Sequence, residues 1–429
     1  MSKYDHASLV MIPSGFKAEK LYSVLPENGN GDFTHDRNGS TATRVNKDGY
    51  VETVSADVPR LNYIDGVVQD CPHLLLEPQR TNLYLNHDLS FNTIASNVNR
   101  ITNTTDVLSP ANDNTALKVI AGVKSSEGKA SVFPKTADGN NHNFTANTDY
   151  VSSVFVKKGT FDFIQLILEN FSGFASTNVY FDVSTGMVGT ETNATGFIED
   201  FGNGWYRCSM KFNLGSNADL LGRAIFRFAE ADGDNNVPRT GTEHMYFWGA
   251  QLEEGSYPTS LIQTSGTAET RSADVCNGAG TSAEFNDSEG VLFAEVKALD
   301  ENVGSNRKIV LGDGSYNNGI EFGFQVTSNS MQFIIRSSTD SSGITMNIQT
   351  TAFNVIEFNK IAISYKSNEG KVFVNGSQVG TTDTSVVLPA NINQLDLKFA
   401  TAFEFEGLLK QLAVFNKALT DSELEALTT

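Results

Sequence analysis

Acidic side chains are the most abundant groups in this sequence that could do chemistry. Hydrolysis of a glycosidic bond needs two carboxylates held several ångströms apart on a rigid scaffold. Candidates occur in three groups, at Glu191, Glu199, Asp200, then Glu230, Asp232, Asp234, then Glu253 and Glu254. Because the sequence has 50 Asp and Glu residues against 31 Lys and Arg residues, we interpret these carboxylates as a solvated acidic surface.

One of these groups lies in an oxygen-rich loop of the kind that binds calcium. Asp232, Asp234 and Asn236 stand at alternate positions, and Glu243 falls where the bidentate twelfth ligand would lie. Val237, however, occupies the position that requires glycine. The sequence therefore favours a turn between two strands without a metal. A weaker calcium candidate occurs further along, at Asp313, Asn317 and Asn318.

Other catalytic and metal-binding motifs do not occur. The sequence has no Gly-x-Ser-x-Gly elbow, no His-Glu-x-x-His pair, no dinucleotide-binding glycine loop and no Walker lysine loop. Its six histidines lack metal-ligand spacing. The three cysteines, at 71, 208 and 276, are isolated, which argues against a disulfide framework and predicts a reducing site of synthesis. We therefore predict a protein that is not an enzyme and has no cofactor, with calcium as the one ion left open.

Aromatic side chains offer a different function, which is binding. A flat ring stacks against the apolar face of a sugar, while Asn, Asp and Gln side chains nearby bond its hydroxyls. The candidates are Trp205, Tyr206, Tyr246, Trp248 and Tyr316. Trp248 lies within a strand-like run, so we expect it in the core, whereas Trp205 at a strand start could be exposed. The strongest candidate is Tyr316, which shares a loop with Asp313, Asn317 and Asn318.

Length and charge restrict the class of protein. A chain of 429 residues is more than one hydrophobic core usually organises, so two or three domains are expected. A net charge of −19 does not supply the positive surface that nucleic acids and anionic membranes require. The start of the sequence lacks the pattern of a secretory signal, and no apolar stretch is long enough to insert into a bilayer. We expect synthesis in a cytoplasm.

The pattern of short runs predicts an all-β protein behind a long N-terminal segment. Residues 1–82 have short apolar runs between turn-forming stretches and indicate an extended arm, with a disordered leader as the alternative. From 83 to 263, strand-like runs alternate with Gly, Asn and Asp clusters, which is typical of an antiparallel sandwich. Residues 264–284 are rich in Ser, Thr, Gly and Ala and predict a linker. Residues 285–429 predict a second sandwich.

Two local features of the second sandwich can be predicted in more detail. Asn375 and Gly376 stand between two strand-like runs, and this pair accepts the positive φ angles of a type I′ hairpin turn. Thr420 and Glu423 have the spacing of a capping box, which predicts one short helix at the end of the chain.

Several stretches resemble proteins of tailed bacteriophages. Residues 8–17 (SLVMIPSGFK), 31–33 (GDF), 42–46 (ATRVN) and 74–83 (LLLEPQRTNL) resemble the N-terminal region of tail-fibre, head-fibre or appendage proteins. Residues 247–260 (FWGAQLEEGSYPTS) and 270–274 (TRSAD) resemble the closing strand of the carbohydrate-binding-module-like jelly roll in such proteins. Residues from about 285 onwards resemble a laminin-G-like or concanavalin-A-like lectin sandwich, a scaffold that serves binding, catalytic and structural roles.

The resemblance implies both an architecture and a function. The architecture is an anchoring arm, a jelly-roll sandwich, a linker and a lectin-like sandwich closed by a short helix. The function is that of a virion fibre or appendage, which docks onto capsid, portal or tail through its N-terminus and binds host-surface polysaccharide. Its location is then the virion, after synthesis in the bacterial cytoplasm.

The resemblance also implies a homo-oligomer, because fibre-like appendages are usually trimers. Repulsion between acidic chains opposes a trimer, but salt screens charges on outward faces. Two other functions stay open on the sequence: a purely structural decoration or assembly protein, and a glycan depolymerase.

Overall fold

The computed structural model describes residues 4, 6–63, 71–89, 94–96, 98–101, 104–173, 175–301, 307–325, 327, 329–399 and 403–429. Antiparallel sheets supply nearly all regular structure in these ranges, together with one α-helix and one short 3-10 turn at Pro13–Gly15. The predicted all-β class is therefore confirmed. Within the same ranges, no helix is long and apolar enough to span a membrane.

The strands follow one another in three groups. The first group is β1 (Ala7–Met11), β2 (Phe16–Lys17), β3 (Lys20–Leu21), β4 (Thr34–Asp36), β5 (Ala42–Val45), β6 (Val51–Val54), β7 (Arg60–Asn62), β8 (His73–Leu76) and β9 (Arg80–Asn82). The second group is β10 (Ile94–Ser96), β11 (Val98–Ile101), β12 (Leu117–Ala121), β13 (Ser131–Phe133), β14 (His142–Asn143), β15 (Asp149–Lys157), β16 (Phe163–Glu169), β17 (Asn178–Asp182), β18 (Met187–Thr192), β19 (Thr195–Asp200), β20 (Trp205–Asn213), β21 (Leu221–Ala229) and β22 (His244–Glu254). The third group is β23 (Glu269–Arg271), β24 (Val275–Asn277), β25 (Glu289–Lys297), β26 (Arg307–Gly312), β27 (Gly319–Phe324), β28 (Met331–Arg336), β29 (Ile344–Thr350), β30 (Asn359–Lys366), β31 (Glu369–Val374), β32 (Ser377–Asp383), β33 (Gln394–Asp396), β34 (Lys398–Phe399), β35 (Phe403–Glu404) and β36 (Gly407–Phe415), followed by the helix α1 (Asp421–Thr428).

The second group forms the first sandwich. One sheet has the order β10-β13-β21-β16-β17-β18, with β14 beside β21, and the other has the order β11-β12-β22-β15-β20-β19. Successive residues of β15 are buried. Because alternate residues of a strand point to opposite sides of the sheet, both faces of this strand are covered. Val154 packs into the core between the sheets, and Phe155 packs into a smaller cluster with Trp205 and Trp248 on the outer face.

The strands of the third group from β25 onwards form the second sandwich, and the N-terminal segment completes it. Its large sheet has the order β32-β31-β30-β25-β36-β8-β7, with β1 also paired to β36, and it faces the sheet β29-β28-β27-β26-β33. Leu9, Met11 and Leu74 are fully buried in the same core as Leu292 and Phe322. The extended arm predicted for residues 1–82 is instead folded at these strands, because their apolar runs pack within the chain.

The predicted linker is also built into the structure. Strand β23 pairs with β9, and β24 pairs with β4, so residues 264–284 bond to the N-terminal segment along two short ladders. Arg271, Asp274 and Cys276 in this stretch are buried. Its small polar residues therefore indicate turns and tight pairing, and not a free connection. How the chain divides into domains stays a prediction.

Five buried charges join the N-terminal segment to this stretch, and we call them the ion cluster. Arg60 bonds both Glu77 (Nη1 to Oε2, 2.6 Å) and Asp274, while Arg37 reaches Asp274 at 2.9 Å and Arg271 reaches Glu77 at 2.7 Å. Burial alone would raise the pKa of Glu77, but Arg271 and Arg60 outweigh it and lower that pKa to about 2. The pKa of Asp274 is likewise lowered, against the effect of burial, with Arg60 as the main cause.

The two local predictions for the second sandwich are confirmed. Asn375 and Gly376 have φ angles of 48° and 79°, as a type I′ turn requires. Thr420 and Glu423 form the capping box of α1, with the Thr420 hydroxyl accepting from the Glu423 backbone N–H. The helix is held mainly by packing, because its Leu424 contributes to a buried cluster on the outer face of the large sheet.

His73 on β8 gives this fold a definite pH dependence. The residue is buried beside Phe358, with ring centroids 5.9 Å apart. Burial, then the charges of Lys410 and Lys297, lowers the pKa of His73 from 6.5 to about 3. As the pH falls below 6.5, His73 takes up a proton in the unfolded chain but stays neutral in the folded chain until the pH nears 3. The free energy of unfolding therefore falls as the pH drops from 6.5 toward 3.

We expect His73→Phe to remove this part of the pH dependence. Below pH 6.5 the wild type should lose stability relative to the variant by about 1.4 kcal/mol for each pH unit. Thermal unfolding of both proteins, followed by circular dichroism at a series of pH values, measures the difference. Two parallel curves of melting temperature against pH would contradict the prediction.

Candidate functional site

The loop between β26 and β27 presents one aromatic ring to solvent. Tyr316 is 49% exposed at the tip of this loop, residues 313–318. The sequence turns here because the Asp313 carboxylate accepts the Ser315 backbone N–H at 2.9 Å and Gly314 adopts a φ of 80°. The predicted residues Asp313, Tyr316 and Asn317 therefore do come together at the surface.

Asn318 holds this loop in place from below. The side chain is 2% exposed, and its Nδ2 donates to the Asp313 carboxylate at 3.0 Å and to the carbonyl oxygen of Ala390. Its Oδ1 accepts the Ala390 backbone N–H at 3.2 Å. The expectation that Asn318 contacts a ligand is not supported by this geometry, because the amide is buried and bonded within the chain. Its role is to position the loop.

A chain of charged side chains supports the Tyr316 ring. The Arg336 guanidinium lies over the ring, 4.9 Å from its centroid. Arg336 Nε donates to the Glu321 carboxylate at 3.0 Å, and Lys308 Nζ donates to the same carboxylate at 2.8 Å. Lys308, Glu321 and Arg336 are all buried. We call these three residues and the loop 313–318 the Tyr316 platform.

The platform has the chemistry of a sugar-stacking surface. Arg336 fixes the ring by a cation–π contact, so little side-chain freedom is lost when a ligand stacks on the ring. Asn317 is exposed and Asp313 is half-buried beside the ring, and both can bond hydroxyl groups.

The sequence predicted the loop of the platform but not its support. Lys308, Glu321 and Arg336 lie on three neighbouring strands, β26, β27 and β28, within otherwise apolar runs. Opposite charges inside consecutive strand-like runs were a signal that could have identified them.

Trp205 lies far from this loop in sequence and is a core residue. It is 1% exposed, and its indole N–H donates to the carbonyl oxygen of Leu108 at 2.8 Å. The expectation that Trp205 is exposed is therefore wrong, because the side chain is buried. Trp248 is buried, as predicted, and its indole N–H donates to the Thr115 hydroxyl at 2.9 Å.

The carboxylates considered for calcium accept hydrogen bonds from groups of the same chain. Residues 231–234 form the expected turn between β21 and β22, and the Asp232 carboxylate accepts the backbone N–H of Thr190 at 2.8 Å. Asp234 bonds the backbone N–H of Asn236, and Glu243 bonds the residues of its own turn. In the part of the chain that the structure describes, no three His, Cys, Asp or Glu side chains are grouped to hold a metal ion.

Of the carboxylates considered for catalysis, Glu253 is fully buried. It accepts the backbone N–H of Thr259 at 2.9 Å and the Thr259 hydroxyl at 2.6 Å. These bonds give the carboxylate a structural role, since they secure the turn that follows β22.

Comparison with protein families identifies the scaffold of the second sandwich. Residues 296–425 match the family model described as the concanavalin A-like lectin/glucanases superfamily. This range includes the whole Tyr316 platform, and it supports the lectin-like architecture predicted from the sequence. Among curated proteins there is no match.

Several solved structures are similar to part of this chain at low scores. The carbohydrate-binding module CBM40 of the Ruminococcus gnavus IT-sialidase, bound to alpha2,3 sialyllactose, has 20% identity and a TM-score of 0.29 over 35% of this chain and 88% of its own. Domain 4 of the arabinanase AbnA from Geobacillus stearothermophilus, in complex with arabinotriose, has 16% identity and a TM-score of 0.29 over 37% of this chain and 73% of its own. A Trypanosoma rangeli sialidase has 11% identity and a TM-score of 0.28 over 73% of this chain and 60% of its own. Scores this low establish no shared function.

Proposed function

We propose that this protein binds glycans without altering them, through the Tyr316 platform of its second sandwich. The observation that carries the proposal is the exposed Tyr316 ring, held by Arg336 on one side and flanked by Asp313 and Asn317. The lectin-type family match over residues 296–425 supports it, because the platform lies inside the matched range.

Binding at a single platform should be weak. A favourable aromatic contact adds about 0.5–1.5 kcal/mol beyond the area that it buries, and one exposed ring offers one such contact. We expect a dissociation constant near the millimolar range, which corresponds to about −4 kcal/mol. Useful attachment then requires several copies acting on one surface, since linked sites raise the effective affinity without any new contact.

Binding of the full-length protein to an array of bacterial polysaccharides tests this function. We expect retention on a restricted set of glycans and no release of reducing sugar from any of them. A folded protein that binds none of the glycans would contradict the proposal and favour a structural decoration protein. Release of reducing sugar would contradict the non-enzymatic part alone.

We propose further that the protein is a virion appendage of a tailed bacteriophage and forms a homotrimer. Support comes from the resemblance of residues 8–17 and 74–83 to the N-terminal regions of such proteins. Because β1 and β8 are parts of the second sandwich, docking onto capsid, portal or tail would use the outward surface of the N-terminal segment and not a free arm.

Two measurements test this placement. Mass spectrometry of purified phage particles should detect the protein, and its absence from particles whose genome encodes it would contradict a virion location. Light scattering of the full-length protein in physiological salt should give the mass of three chains. A strictly monomeric mass would contradict the trimer.

A further inference from the structure

A small pocket in the first sandwich has the features of a second binding site. Its volume is about 260 Å³, and it lies where three turns meet. Tyr50 comes from the turn between β5 and β6, Asn112 from the loop before β12, and Phe201 from the turn between β19 and β20. Trp205 and Lys157, at the facing ends of the paired strands β20 and β15, complete the walls.

The walls of this pocket are fixed by hydrogen bonds between the segments. The Val51 backbone N–H donates to the Pro110 carbonyl oxygen at 2.9 Å, which joins the β5–β6 hairpin to the loop before β12. The Trp205 indole N–H donates to Leu108 on the same loop at 2.8 Å. The Phe201 backbone N–H donates to the Trp205 carbonyl oxygen at 2.9 Å. A pocket held in this way needs little reorganisation when it binds a ligand.

The lining combines aromatic rings, amides and a single charge. Tyr50 and Phe201 are half-buried aromatic residues of the lining, while Asn112 and Asn203 are exposed amides. Lys157 is the one charged residue of the lining, and its ammonium group bonds the Asn203 carbonyl oxygen, which holds it at the rim. An ammonium group has three donors, so this contact does not exhaust it.

We propose that this pocket binds one sugar ring that carries a carboxylate, at the end of a glycan chain. Pockets for larger ligands measure about 300–1,000 Å³, so the volume suits one ring. Tyr50 and Phe201 would contact its apolar face, the amides would bond its hydroxyls, and Lys157 would pair with its carboxylate. The site is independent of the Tyr316 platform, which lies in the other sandwich.

The two tryptophans of the chain allow a direct test on the full-length protein. Trp205 lines the pocket, whereas Trp248 does not, and its indole N–H bonds Thr115. In ¹⁵N-labelled protein the two indole signals can be followed by NMR and assigned with Trp248→Phe. We expect methyl glucuronide to shift the Trp205 signal and leave the Trp248 signal unchanged. Methyl glucoside should bind about tenfold more weakly, for want of a charge-assisted hydrogen bond.

Three variants complete the test, each checked for an unchanged spectrum without ligand. Lys157→Met should remove the preference for the glucuronide, Tyr50→Ala should weaken binding of both sugars, and Tyr316→Ala should change neither. A Trp205 signal that saturating glucuronide leaves unmoved would overturn the proposal, as would a shift that Tyr316→Ala abolishes. Equal affinity for both sugars would overturn the assignment of a carboxylate ligand. If the protein binds no glycan on the polysaccharide array but methyl glucuronide still shifts the Trp205 signal, the pocket is upheld and glycan binding at the Tyr316 platform is contradicted.

Discussion

Removal of residues 1–82 is expected to abolish the cooperative unfolding of the second sandwich. Strand β36 would lose both β1 and β8, and its backbone groups along that edge would be left unpaired. The core would lose Leu9, Met11, Leu74 and Leu76, each at most 1% exposed in the intact fold. Burial of one such side chain contributes about 1.5–3 kcal/mol, so the four together are comparable to the whole stability of a typical domain, about 5–15 kcal/mol.

The measurement is the near-ultraviolet circular dichroism and thermal unfolding of the full chain compared with those of residues 83–429. A point substitution gives a finer comparison. Leu9→Asp should strongly destabilise the full chain, while Val24→Asp, at a side chain that is 43% exposed in the same segment, should have little effect. A shortened protein with an unchanged, cooperative transition would show that the N-terminal strands are dispensable.

Replacing Asp274 by asparagine is expected to lower the free energy of unfolding by about 3–5 kcal/mol, as when one partner of a buried ion pair is removed. Asp274 is fully buried and pairs with Arg37 and Arg60. The variant keeps the shape of the side chain but leaves Arg37 without its buried carboxylate partner and Arg60 with Glu77 alone. The midpoint of urea unfolding measures the change.

A surface pair provides the control for this substitution. Asp106 bonds Lys118 at 2.6 Å, but its side chain is 45% exposed, so Asp106→Asn should leave the midpoint almost unchanged. If Asp274→Asn and Asp106→Asn behave alike, the ion cluster does not hold the N-terminal segment in place.

The ion cluster also predicts how acid affects stability. Glu77 has a folded pKa of about 2 against 4.5 in the unfolded chain. Its contribution is therefore complete above pH 4.5 and is lost as the pH falls toward 2. Asp274 acts in the same direction, because its pKa is lowered too. In Asp274→Asn the loss of stability with acid should be shallower than in the wild type.

Local features whose conformation depends on residues adjacent in the chain could be predicted from the sequence. The turn at Asn375 and Gly376 and the cap at Thr420 follow from local backbone preferences, and the loop around Tyr316 follows from the turn-forming residues beside it. The pairing of β1 with β36 joins residues about 400 positions apart. A short apolar run does not indicate which distant strand it will meet, so this pairing could not be predicted.

Buried charges were the second kind of feature that sequence reasoning missed. In an acidic chain, Glu77 and Asp274 are indistinguishable from surface carboxylates until their arginine partners are located in space. Trp205 illustrates the opposite error, since a tryptophan beside glycines at a strand start suggested exposure. Its ring instead packs in a buried cluster with Val51 of the β5–β6 hairpin, a contact that only the tertiary structure provides.

The affinity of wild type, Tyr316→Ala and Tyr22→Ala for the same polysaccharide tests the proposed function most directly. Tyr22 is a matched control, because it is 38% exposed and has Lys20 over its ring at 5.0 Å, yet lies outside the platform. Affinity electrophoresis of the three full-length proteins should show a dissociation constant about tenfold higher for Tyr316→Ala, which corresponds to about 1.4 kcal/mol. Tyr22→Ala should bind like the wild type. Unchanged binding by Tyr316→Ala, or an equal loss in both variants, would contradict glycan binding at the Tyr316 platform.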